Sequence, residues 1–198
     1  MFNLLTDVPP ETVNVEGIEY AINSGASVMI KIALLIEEGM AADDQERSRL
    51  LIEELRLFYR DLPRDLTAAT ETMLEFYSFS SDSRAASKPK TKQDRLRVKM
   101  PPYSFAYDAG LIYAAFAQQY PGRDMARLHW FEFRALMAGL TEETLFQQVV
   151  GFRTMEIPES MSKEQKKYYR RMKRLYALPD KRSAGEKDQD FAAALSQL

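Results

Sequence analysis

The stretch LHWFEFRALMAGL, residues 128–140, decides how the chain folds. It holds the one histidine and the one tryptophan of the sequence, side by side. Wound as a helix, it is apolar in nearly every direction: Leu128, Trp130, Phe131, Phe133, Ala135, Leu136, Met137 and Leu140. Only His129 with Glu132, and Arg127 with Arg134, offer polar strips. A helix that is apolar on most faces belongs in the middle of a bundle. Trp130, Phe131 and Phe133 are therefore expected in the core, and the Trp130 N–H needs an acceptor there. His129 and Glu132 are three apart and can hydrogen-bond on the helix surface. As a general base and its orienter they would lack a nucleophile or a metal. His129 is accordingly read as structural.

Working outward, TVNVEGIEYAI (12–22) alternates apolar and polar residues around Glu16-Gly17. Gly17 can take the positive φ of a tight turn, so a small β-hairpin is predicted, with Val13 and Val15 facing Ile18, Tyr20 and Ile22. The rest reads as helices. One is capped by Ser24 or Ser27 and runs to Glu38, with Val28, Ile32, Leu35 and Ile36 at helical spacing. Asp43 or Asp44 caps a second, which buries Leu50, Leu51, Leu55 and Phe58. Asp65 caps a third. Helices resume near Tyr107, with Ile112, Phe116 and Tyr120 on one face. Asp124 caps the helix that contains the opening stretch, and Gly139 ends it. Thr141 caps a short helix reaching Gly151. SKEQ (162–165) is a capping box that starts a last helix running to about Ala177.

The fold class is thus mainly α: a helical bundle with a small N-terminal β-hairpin. Four regions are expected. Residues 1–79 carry the hairpin and acidic helices. Residues 80–102 are Ser-rich, then basic, and read as a flexible linker or loop. Residues 103–179 form a C-terminal helical part, in one fold with the first. Residues 180–198 form a mobile, weakly amphipathic tail, with Phe191, Leu195 and Leu198 as its apolar positions.

Composition narrows the function classes. The 198 residues are 45% hydrophobic and 28% charged, ordinary for a globular domain. There is no cysteine, which removes disulfides and thiolate metal sites. The opening MFNLLTDVPPE lacks a basic region and a long apolar core, and ASVMIKIALLI (26–36) is too short to span a bilayer. A soluble intracellular protein is expected. No Gly-rich phosphate loop, HExxH, GxSxG or CxxC occurs. The carboxylate pairs Glu37-Glu38, Asp43-Asp44 and Glu53-Glu54 fall at helix ends or on faces expected to be exposed. No catalytic residue, metal or cofactor is expected, and the chain is read as not an enzyme.

Net charge is −2, but it is divided unevenly. Residues 1–79 hold 15 acidic and 6 basic side chains; residues 80–198 hold 14 and 21. Either the two halves attract each other, within one fold or between subunits, or the basic half meets an acidic partner. The strongest feature outside the core is SKEQKKYYRRMKRLYALP (162–179). Lys163, Lys166, Lys167, Arg170, Arg171 and Arg174 share one helical stripe. Tyr168, Met172, Leu175 and Tyr176 line the opposite one, of which Met172 and Tyr176 are assigned to the core. The basic stripe fits an acidic protein surface, nucleic acid phosphates, anionic lipid, or simple solvation. A sequence pI near 5.6 weakens the nucleic acid reading, and the tyrosines make a modest lipid face.

The order of segments resembles a family of small phage proteins named after a gene product numbered fifteen. The likeness runs from LLTDVPPETVNVEGIEYAINSG through YSFAYDAGLIYAAFAQQY and LHWFEFRALMAGL to GFRTMEIPESMSKEQKKYYRRMKRLYALP, roughly residues 3–180. Asp108, His129, Trp130, Phe133, Tyr169, Met172 and Tyr176 fall on motif positions. The resemblance implies a non-enzymatic tail assembly chaperone of a long-tailed phage. It would bind the tape-measure protein in the host cytoplasm and be absent from the mature virion. Tail-tube subunits and further copies of the chain are additional partners under that reading; a membrane is not. The alternatives are a structural tail or connector subunit kept in the virion, or a nucleic-acid-binding regulator.

Overall fold

The structure, a computed structural model, describes residues 2–79 and 102–179. The expected linker and tail lie outside the described residues, apart from Pro102. Strands β1 (Thr12–Val15) and β2 (Ile18–Ala21) pair antiparallel, with Val13 opposite Tyr20 and Val15 opposite Ile18. Glu16 and Gly17 have φ of 52° and 86°, the two positive values that a two-residue turn matching the strand twist requires. The Asn14 carboxamide oxygen accepts from the Gly17 N–H at 2.9 Å and closes the turn.

Seven α-helices follow among the described residues: α1 (Ala26–Gly39), α2 (Asp44–Phe58), α3 (Leu66–Tyr77), α4 (Ala109–Gln119), α5 (Trp130–Ala138), α6 (Leu145–Thr154) and α7 (Lys163–Leu175). The chain is mainly helical with one small hairpin. No helix among the described residues is long and apolar enough to cross a membrane. Asp43 and Asp65 cap α2 and α3 by accepting backbone N–H groups of the first turn. α1 and α2 form an antiparallel pair; α5 packs on α1, α3 on α2 and the hairpin, and α4 on α6, and their buried side chains join in one core.

Three local expectations are corrected. Neither Ser24 nor Ser27 caps α1; Gly25 holds that position without a side-chain cap. Its place is taken by another part of the chain: the Ala26 N–H donates to the Leu128 carbonyl, and the Trp130 N–H to the Ser24 carbonyl, both at 2.8 Å. That two-stranded contact pulls Leu128 and His129 into extended backbone. The predicted single helix from Asp124 is therefore two elements, a 3₁₀ turn (Met125–Arg127) capped by Asp124, and α5 capped by His129. Thr144, not Thr141, caps α6; the Thr141 N–H is taken instead by the Gln119 side chain at the end of α4.

α5 is the central helix. Trp130 has no solvent exposure. It stacks between Tyr77 of α3 and Phe133, with centroids 5.4 and 5.5 Å apart, and Phe133 stacks in turn on Phe116 of α4 at 5.1 Å. The column ties three helices together, each ring contact adding about 0.5–1.5 kcal/mol beyond area burial. The indole N–H donates to the Tyr77 carbonyl at 3.0 Å, so the one polar atom of Trp130 is satisfied. Phe131 and Phe133 are buried beside it.

Candidate docking surface

His129 sits at the start of α5 as its cap. The ring Nδ1 accepts from the Phe131 N–H at 3.0 Å, the ring Nε2 faces the Pro10 carbonyl at 3.0 Å, and the Glu132 carboxylate accepts from the His129 backbone N–H. The Phe131 bond needs a bare Nδ1, so Nε2 carries the proton and donates to Pro10. Burial holds the imidazole below its ordinary pKa, which fits this neutral ring. His129 and Glu132 thus meet through a capping box rather than ring to carboxylate on the helix surface. Among the described residues no three acidic or histidine side chains gather to hold a metal ion.

Two carboxylates assigned to exposed positions are buried. Glu37, 5% exposed, accepts from the Ser104 hydroxyl at 2.5 Å and the Phe105 N–H at 2.9 Å. It fastens the start of the C-terminal half to the end of α1. Glu54, 7% exposed, shares the inner face of α2 with Leu50 and Phe58, and burial pushes its carboxyl up to about 7. Both lie where helical periodicity puts core residues; pairing with Glu38 and Glu53 in sequence disguised them.

The surface that faces outward is built on α7. Ser162 and Gln165 form the capping box read from the sequence. No residue of the helix is fully buried. Met172 and Tyr176, assigned to the core, are half-buried on the inner side, where Tyr176 stacks on Phe152 of α6 at 5.9 Å. Tyr169 packs against the same ring. These rings make a small apolar seam between α6 and α7, outside the main core.

Arg153 of α6 locks that seam. Its guanidinium donates to both Asp108 oxygens, at 2.6 and 2.9 Å, to the Tyr176 carbonyl at 2.6 Å and to the Pro102 carbonyl at 3.1 Å. Asp108 is 2% exposed and also accepts from the Ser104 N–H. One cation therefore joins the start of α4, the end of α7 and the chain at Pro102. Sequence reading marked Asp108 by resemblance but missed Arg153; a lone arginine at the end of the apolar stretch FQQVVGF was the available signal.

The six cations of the stripe do not act alike. Lys166 folds back on Glu159, with its Nζ 2.8 Å from both the carboxylate and the backbone carbonyl. Lys163, Lys167, Arg170, Arg171 and Arg174 are exposed and make no ion pair among the described residues. Tyr168 and Leu175, 52% and 65% exposed, flank them. The result is a cationic ridge with an apolar edge.

Fold and surface together define a mainly α-helical protein that carries a basic helix outside its core. The chain belongs to the family described as Bacteriophage Gp15 protein, whose model matches residues 5–178. No curated protein and no solved structure matches it.

Proposed function

We propose that this phage protein is a non-enzymatic tail assembly chaperone that holds the tape-measure protein in the host cytoplasm and leaves before the virion is complete. The observation that supports this most is α7: five cations with no ion pair among the described residues, beside Tyr168 and Leu175, on a helix with no fully buried residue. On this reading the client is a long helical protein with exposed apolar stripes, and carboxylates along those stripes would pair with the cations. A ridge offering cations next to apolar side chains matches such a stripe, and many weak copies along one client give avidity without tight single contacts. Tail-tube subunits and neighbouring copies of the chain are further partners under the same reading.

The test is co-expression with the tape-measure protein encoded by the same phage. The client should become soluble and co-purify with this chain. A client that stays insoluble and unbound defeats the proposal. Recovery of the chain at stoichiometric copy number from purified virions would make it a retained tail or connector subunit instead. Binding of duplex DNA with steep salt dependence would assign the ridge to nucleic acid.

A further inference from the structure

A pocket of about 210 Å³ opens between α5, α6 and the chain at Pro102. Its apolar lining includes Tyr103, Met137, Phe146 and Val150. An apolar cavity of about 150 Å³ is enough to take a benzene ring, so this one accepts a phenyl side chain. Arg134 also lines it. That guanidinium lies 5.7 Å over the Trp130 ring, is half-buried, and has no hydrogen bond or ion pair among the described residues. A half-buried arginine that has no acceptor among the described residues and lies beside an apolar hole fits an occupant that brings an aromatic ring and a carboxylate together.

The position of the chain beyond α7 names the occupant. The Arg153 guanidinium holds the Tyr176 carbonyl and the Pro102 carbonyl at once, and Pro102 is part of the pocket wall. The chain therefore leaves α7 beside the pocket. About 12 residues separate Pro179 from Phe191, and at roughly 3.3–3.6 Å per residue that span is ample. From Asp188 onward the sequence DQDFAAALSQL has acids and no base, with Asp190 next to Phe191. The other segment adjoining Pro102, residues 80–101, carries seven Lys or Arg and would repel Arg134.

We infer that the C-terminal segment of the same chain docks here, with Phe191 in the pocket and Asp188 or Asp190 on Arg134. This inference is independent of which client the ridge binds.

The chain has no cysteine, so a single introduced thiol reports one place. A spin label on Ala138→Cys, at the pocket rim, should strip most of the amide signal intensity from residues 188–195 of the full chain. Phe191→Ser should restore it, and so should Arg134→Gln, with the spectrum of the folded body unchanged in the first. Absence of attenuation overturns the inference, as does attenuation that survives Phe191→Ser. Mixing spin-labelled chains with isotope-labelled, label-free ones supplies the last arm. Attenuation confined to that mixture places the segment on a second copy and overturns the intramolecular form.

Discussion

At the scale of single residues, Glu54 and His129 make stability depend on pH in opposite senses. Burial raises the Glu54 carboxyl from 4.5 unfolded to about 7 folded. The folded state therefore binds the extra proton between those values, and stability is lost as pH rises through about 7. At about 1.4 kcal/mol per pKa unit, the charged form costs roughly 3 kcal/mol at pH 8. Glu54→Gln should stabilise the protein by up to that amount at pH 8 and by little at pH 4.5, read from urea unfolding at both. An equal gain at the two pH values would show that the carboxyl is not titrating in a buried site. His129 works the other way. Its folded pKa lies below the ordinary 6.5, so the unfolded chain binds more protons and stability falls as pH drops below about 6.5. His129→Asn keeps a good cap for the Phe131 N–H but loses the bond to Pro10 and the titration. The variant should be less stable than wild type by about 1 kcal/mol at pH 8. That gap should narrow on acidification towards pH 5, and a constant gap would mean that the ring is not held neutral.

At the scale of elements, the Arg153–Asp108 pair decides whether α7 stays on the body. Removing one partner of a buried pair leaves an uncompensated charge and costs about 3–5 kcal/mol, whereas replacing both is far milder. Arg153→Leu should therefore unfold more easily than the double variant Asp108→Asn with Arg153→Leu, even though both lose the bond to the Tyr176 carbonyl. In the double variant, amide exchange in α7 should speed up while α1 and α5 stay protected. Uniform acceleration everywhere would mean that the pair supports the core and not the α7 seam. The elements joined this way were mostly visible in the sequence, because caps and periodicity are local: Asp43, Asp65 and the Ser162–Gln165 box each satisfy N–H groups within one turn. Errors arose where a distant segment supplied the partner. Ser24 and Ser27 are suitable caps by composition, yet the Leu128 carbonyl takes the Ala26 N–H, and the same contact breaks the helix before His129. Glu37 reads as a solvated helix-end residue until Ser104 and Phe105 arrive from 67 and 68 positions away.

At the scale of the whole molecule, the charge division resolves into a body whose acidic helices α1 and α2 also send carboxylates inward, and a ridge on which five of six cations make no ion pair among the described residues, Lys166 alone pairing with Glu159. The ridge was legible because spacings of three, four and seven fix one side of any helix. Which cations remain free was not, since that depends on Glu159 reaching Lys166 and on the Arg153 carbonyl accepting from Lys173, both products of the fold. This difference sets up a separable test. Lys167, Arg170 and Arg174 make no side-chain hydrogen bond or ion pair among the described residues, so reversing all three to Glu should shift folding stability by no more than about 0.5 kcal/mol per site. Reversing Lys166 would break its contacts with Glu159 and confuse folding with binding, which is why it is left intact. If the ridge grips a client through charge, the triple variant should melt like wild type and fail to keep a co-expressed tape-measure protein soluble. Wild-type capture should weaken as salt rises, because exposed charges are screened beyond about 8 Å at physiological ionic strength. A triple variant that still captures the client would move the binding surface off α7, and the exposed Tyr168 and Leu175 would no longer mark its edge.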